Sequence, residues 1–305
     1  MLIKPDCIPC ILTMSLTSIR ELSLDEGRFR TLYSKILEIP SLRGESWDVT
    51  SPQVIESVMR LIMDATGDHD PFQEIKSSQN RRIMGIVPFL RKILNEASDP
   101  LYTAVKLAIL GNTIDLMMGD RPTDIENSIT ERLKDPISER GYLNFRENLE
   151  ECRSLVYLGD NAGEIVFDRL LIELIKEQYD VDVVFIVRSV PTLNDATLSE
   201  ARSIGMDGIV KVIENGIDGP CPGTILSRCS AEVNELINRA DMIISKGGGN
   251  FDALEEERGE VKKKIAFMLL SKCYPYCEYF GVKMHQPILA HFGEGCPWLG
   301  PMISP

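Results

Sequence analysis

The stretch LVYLGDNAGEIVFD, residues 155–168, passes from four apolar residues into a glycine-bounded turn holding Asp160 and Asn161, then into a helix-like run that begins with Glu164. A short apolar run followed by helical periodicity predicts a buried strand feeding a helix, the first unit of a parallel sheet covered on both faces. Ligands of such sheets bind beyond the carboxyl ends of the strands. Two oxygen-bearing side chains in that turn are therefore candidate ligand contacts. An Asp capping the helix, with a turn-forming Asn beside it, would account for the same residues taken alone.

The pattern recurs downstream. VDVVFIVR (181–188), GIVKVIE (208–214), ADMIISK (240–246) and KIAFMLLS (264–271) are β-rich runs separated by helix-length stretches or glycine-rich loops. They predict an α/β fold: a Rossmann-like, mostly parallel sheet of five or six strands with helices on both faces. Upstream, residues 8–150 carry helical periodicity almost throughout. Ser51-Pro52 and Asp99-Pro100 read as helix starts, and Gly67 and Gly119 as stops. The expected organisation is an all-helical domain over residues 1–150, a Rossmann-like catalytic domain over 151–292 and an irregular, Gly/Pro-rich tail over 293–305.

The chain has 305 residues, 44% hydrophobic and 26% charged, which is globular composition, and no apolar run long enough to span a bilayer. The N-terminus MLIKPDCIPCILTM places an acid, two prolines and two thiols before any apolar run, unlike a secretory signal, so a cytoplasmic location is expected. A net charge of −13 argues against nucleic-acid or anionic-membrane partners. It also means that an anionic substrate needs a metal ion or a focused cation to reverse the local sign.

Two further strand ends carry unusual loops: SVPTLNDAT (189–197), with Asn194 and Asp195, and Lys246-Gly247-Gly248-Gly249-Asn250. Asp160, Asn161 and Asp195 together offer hard oxygen donors suited to Mg or Mn, with Co or Ni as alternatives. The glycine triplet lets the backbone approach a ligand closely, and Lys246 beside it could meet a phosphate. Lys246 precedes the glycines, which excludes a Walker motif, and GDNAGE lacks the second glycine of a dinucleotide fingerprint. Taken singly, the triplet could be a flexible loop and LNDAT a helix cap. Together the three loops supply what metal-assisted phosphoryl hydrolysis requires.

GDNAGE, P-x-x-N-D-A-T and SKGGGNF, in that order at successive strand ends, resemble the damage-control phosphatases, metal-dependent enzymes first catalogued as domain-of-unknown-function family eighty-nine. DPFQEIKSSQN (70–80) and LGNTIDLMMG (110–119) are similar to the family's D-P-[FY]-x-x-x-K and G-N-x-x-D segments, and DCIPC (6–10) to the Cys pair of its prokaryotic and archaeal subgroup. The resemblance covers about residues 6 to 290. It implies a helical domain packed on a Rossmann-like one and hydrolysis of small phosphorylated metabolites, sugar phosphates and damaged cofactor precursors among them. It also implies metal ligation by Asp160, Asn161 and Asp195, catalysis by Asp160 and Lys246, and a pocket lined by Glu164, Asn112, Asp115, Asn250, Gly247 and Gly248. Whether the attacking group is water or the Asp160 carboxylate stays open at this level, as do the oligomeric state and the physiological substrate.

Cys7-x-x-Cys10 has metal-ligand spacing, and with Cys273 and Cys277 it could complete a structural zinc site; buried thiols or a redox pair are the other readings. His69, His285 and His291 have no partner at ligand spacing, so imidazole chemistry is not expected at the centre of the site. Two competing functions fit parts of the pattern. An S-adenosylmethionine-dependent methyltransferase would use the first turn but leave SKGGGN and Asp195 without roles. A noncatalytic metal or phosphate-ester sensor would bind such esters and release them unchanged.

Overall fold

The computed structural model describes residues 1–111, 124–259 and 263–293. Before the first strand come α1 (Cys7–Glu21), α2 (Glu26–Leu37), α3 (Ser51–Thr66), α4 (Gln73–Gly85), α5 (Val87–Glu96), α6 (Pro100–Gly111), α7 (Ile125–Arg132) and α8 (Glu139–Glu151). Alternation then begins with β1 (Ser154–Leu158), α9 (Glu164–Gln178), β2 (Asp182–Val187), α10 (Leu198–Ser203), β3 (Lys211–Glu214), α11 (Ala231–Arg239), β4 (Met242–Lys246), α12 (Gly247–Glu256) and β5 (Lys264–Leu270). It closes with α13 (Tyr274–Phe280) and β6 (Pro287–Phe292). Among the described residues no helix is long and apolar enough to cross a membrane.

Local chemistry sets several boundaries. α3 opens on a reciprocal capping box between Thr50 and Gln53, one residue earlier than the Ser-Pro pair suggests, and stops at Gly67 with φ of 68°. The Asp99 carboxylate accepts the Tyr102 amide at 2.9 Å and starts α6. The proline at residue 88 breaks what reads as one helical run into α4 and α5.

The strands lie in the order β3-β2-β1-β4-β5-β6, with β6 antiparallel to β5 and the others parallel. β1 therefore pairs with both β2 and β4, and the chain winds away from it in two directions. The crevice above the ends of β1 and β4 is the switch point at which such sheets bind ligands. β6 is the strand the sequence pattern does not announce. PILAHF begins with a proline, which an edge strand tolerates at its first position, and carries a histidine.

One sheet face buries Tyr157, Phe185, Ile244 and Met268 against α9, and the same core takes in Ile83 of α4, Leu90 of α5, Val105 and Ile109 of α6 and Phe145 of α8. Of the N-terminal helices, α6 and α8 thus pack on the sheet itself, while α4 and α5 pack behind α9 and α6. The other face packs Leu158, Ile243 and Phe267 against Val233 of α11, Phe251 of α12 and Phe280 of α13. α1–α3 form a further core around Ile19, Ile36 and Val58, which also receives Leu193 from the loop after β2. Gly119 and residues 294–305 lie outside the described residues.

His291 in β6 is buried, with its Nε2 2.8 Å from the Gly141 carbonyl. Burial pushes its imidazole down from 6.5 to about 4, against the pull of that hydrogen bond. The folded protein thus prefers the neutral ring, so its contribution is complete above the unfolded-state value and is lost as the pH falls below it. Urea unfolding at pH 7 and pH 5 should show about 2 kcal/mol of stability lost through this group. A His291→Gln variant should lack that part of the pH dependence; an identical profile in both proteins would show that the ring charges freely in the fold.

Candidate active site

The turn after β1 does not cap its helix through Asp160. Gly163, with φ of 78°, is the N-cap of α9, and Asp160 and Asn161 turn toward the crevice. The loop after β2 runs alongside. The Ala162 amide donates to the Asn194 carbonyl and the Ala196 amide to the Asp160 carbonyl, both at 2.8 Å, and Asn161 forms a β-bridge with Asp195. Thr197, not Asn194 or Asp195, caps α10. Asp160, Asn161 and Asp195 are thereby brought together in the wall of one cavity of about 210 Å³.

Arg188, the residue that follows β2, ties the two carboxylates together. Its Nε donates to Asp195 Oδ2 at 2.7 Å and its Nη2 to Asp160 Oδ1 at 3.3 Å. Burial would lower the guanidinium, but Asp195 and Asp160 more than reverse this and hold it above its ordinary value. Asn161 Nδ2 donates to Asp160 Oδ2 at 3.0 Å and to Glu164 Oε2 at 3.1 Å, which spends both amide hydrogens and leaves Oδ1 as the acceptor. Burial, then Asp195 and Glu164, push the Asp160 carboxyl well above its usual range, while Arg188 and Lys272 pull it back.

Lys246 does not stand where a phosphate could meet it. It shares a sheet face with Met242 and Ile244, the face covered by α6 and α9, because strand side chains alternate. Its Nζ donates to Glu164 Oε1 and Asp168 Oδ1, both at 2.6 Å, and to the Ala108 carbonyl at 2.8 Å, and it is fully buried. Burial would lower the ammonium, but Asp168 and Glu164 carry it up to about 12. Asp168, pushed up to about 6 by burial against the pull of Lys246, also accepts the Tyr157 hydroxyl.

Glu164 and Asn250 are likewise not pocket walls. Glu164 holds Asn161, and Asn250 donates to the Gly159 and Lys246 carbonyls while its Oδ1 accepts from Arg188 and Thr224. The glycine triplet is no loop: it is the first turn of α12. Gly247 has φ of 74°, and a Cβ there would lie 1.9 Å from Asp160 Oδ2, so only glycine lets the aspartate sit against the helix start. Gly248 and Gly249 line the cavity, which brings the N-terminal amides of α12 to it. Asn112 and Asp115 lie outside the described residues.

The remaining wall comes from α1, α3 and the segment after β5. Lys272 stands there, a cationic side chain that strand periodicity did not single out. Ser51 Oγ donates to Asp252 Oδ2, and burial pushes that carboxyl up to about 6 against the pull of the N-terminal ammonium. Cys7, Cys10 and Cys273 also face the cavity, whereas Cys277, one turn along α13, does not. Among the described residues no three Cys, His, Asp or Glu side chains are arranged to hold a metal ion by themselves. Burial raises the Cys7 thiol and carries Cys273 to about 12.

The Asp160–Asn161–Asp195 set depends on an amide for its third donor, and the buried charges around it favour a cation. Asp160, Glu164, Asp168 and Asp195 are buried with Arg188 and Lys246, and Lys272 in the cavity wall also acts on Asp160. The carboxylates outnumber these three cations, an excess that a bound cation would offset.

Residues 3–288 match the profile of the damage-control phosphatase ARMT1-like domain. An uncharacterized protein of Methanocaldococcus jannaschii is 34% identical over 294 residues, 94% of each chain. A damage-control phosphatase of Pyrococcus horikoshii is 30% identical over 274 residues, 90% of this chain and 92% of its own. One from Archaeoglobus fulgidus is 29% identical over 286 residues, 93% of this chain and 97% of its own. The crystal structure of a DUF89 family protein from P. horikoshii superposes with a TM-score of 0.81 at 26% identity, covering 95% of this chain and 98% of that one.

Proposed function

Because the chain belongs to the family of damage-control phosphatase ARMT1-like domains, a phosphatase family, we propose that it hydrolyses small phosphorylated metabolites with the help of a divalent cation. The observation that carries this reading is the convergence of Asp160, Asn161 and Asp195 with the start of α12 on one cavity at the sheet's switch point.

Asp160, Asn161 and Asp195 would hold Mg or Mn, which supplies Lewis acidity at the phosphoryl group. The protein's own groups do the rest. The amides of Gly248 and Gly249 at the helix start and the Lys272 ammonium favour the ester's anionic oxygens. Arg188 fixes the two carboxylates, and Lys246 acts one step back, holding the Glu164 that orients Asn161. A cavity of about 210 Å³ is smaller than the usual drug-sized site and suits a compact metabolite ester.

Hydrolysis of p-nitrophenyl phosphate and of a panel of phosphorylated metabolites, assayed with Mg, Mn, Co and Ni and after EDTA treatment, tests the proposal. Turnover lost on chelation and restored by Mg or Mn is the expected result. Phosphate esters bound and released intact would point to a sensor instead, and undiminished turnover in EDTA would remove the metal from the reaction.

A further inference from the structure

α4 carries the DPFQEIKSSQN segment into the protein interior with an unusual buried face: Lys76, Gln79 and Asn80 are 0%, 3% and 3% exposed. A helix that wins its stability by packing presents apolar residues there, and a buried ammonium is costly unless it is well paired. Lys76 and Asn80 stand one turn apart, on the same face. Lys76 Nζ donates to Asp70 Oδ2 at 2.7 Å and to Glu200 Oε2 at 3.2 Å. The same Glu200 oxygen accepts the Thr197 amide at 2.9 Å and the Thr197 hydroxyl at 2.6 Å, closing the cap that ends the Asp195 loop. Asn80 reaches both loops. Its Oδ1 accepts the Gly163 amide at 2.7 Å, at the end of the Asp160 loop, and its Nδ2 donates to the Glu200 carbonyl at 3.1 Å and Ser203 Oγ at 2.9 Å.

We propose that α4 is a brace that sets the spacing between the two loops carrying Asp160, Asn161 and Asp195, with Lys76 and Asn80 as positioning residues for the cation site. This rests on the metal-dependent reading above. Neither residue lines the cavity or touches the three ligands; each instead fixes the backbone from which the ligands project. Outer partners of this kind hold ligands to the geometry an ion demands.

The test is Mn titration by calorimetry on wild type, Asn80→Ala and the double variant Lys76→Met/Glu200→Gln, alongside urea unfolding and steady-state kinetics. Wild type should bind one Mn. Each folded variant should bind it about 10- to 100-fold more weakly, with kcat largely recovered at saturating Mn. Folded variants with lowered urea midpoints but wild-type Mn affinity would reduce α4 to a structural helix and overturn the brace alone. A wild type that binds no Mn would overturn the metal reading together with the brace. If one variant does not fold, the other decides; if neither folds, the brace is rejected, because a positioning device must be removable without loss of the fold.

Discussion

Asp160→Asn should lower kcat/KM for every phosphate ester by about three orders of magnitude or more while leaving the protein folded. The substitution keeps the side chain's shape and its contact with Asn161 but removes the charge that Arg188 and a cation share. Asp160 lies beside Asn161 and against the start of α12, in the wall of the cavity. The loss follows whether the carboxylate orients the ion or attacks phosphorus itself. Steady-state kinetics with p-nitrophenyl phosphate, paired with Mn titration, is the measurement. Turnover within a few-fold of wild type would remove Asp160 from the chemistry.

Lys246→Met should act first on stability, costing about 3–5 kcal/mol, because it leaves Glu164 and Asp168 buried without their shared cation. That is a large share of the 5–15 kcal/mol by which a domain of ordinary size is stable. Activity should fall with it, through a misoriented Asn161. Urea unfolding separates this role from the one the sequence suggests. A lysine that met phosphate directly would lose activity with its unfolding midpoint unchanged, and that outcome would return Lys246 to the substrate.

The contrast marks where sequence reasoning succeeds in this protein. Short apolar runs alternating with helical ones announce the sheet, because the strands are buried on both faces and must read as continuous hydrophobic segments. The placing of Asp160, Asn161 and Asp195 along one crevice follows from it, since the carboxyl ends of parallel strands share one edge of the sheet. The direction of a side chain is harder to read. Lys246 and the glycines adjoin in sequence, yet strand alternation sends the lysine through to α9 while the glycines stay at the crevice. Arg188 left a faint signal: a charge ending an apolar strand usually needs a buried partner. Lys76 and Asn80 left less, because hydropathy cannot tell a buried polar face from a solvated one, and β6 was hidden by its proline and histidine.

The shared core between the N-terminal helices and the sheet bears on how the chain is made. α6 is buried over nearly its whole circumference, against α9 and β5 among others, and so has no surface to rest on when it leaves the ribosome. Its partners are synthesised later, β5 after most of the other strands. Until the second half arrives, α6 must therefore wait with its apolar faces uncovered, whereas α1–α3 carry a core of their own. The interval between the two halves is the stage at which nascent chains of this protein are most exposed to clumping and most in need of a chaperone.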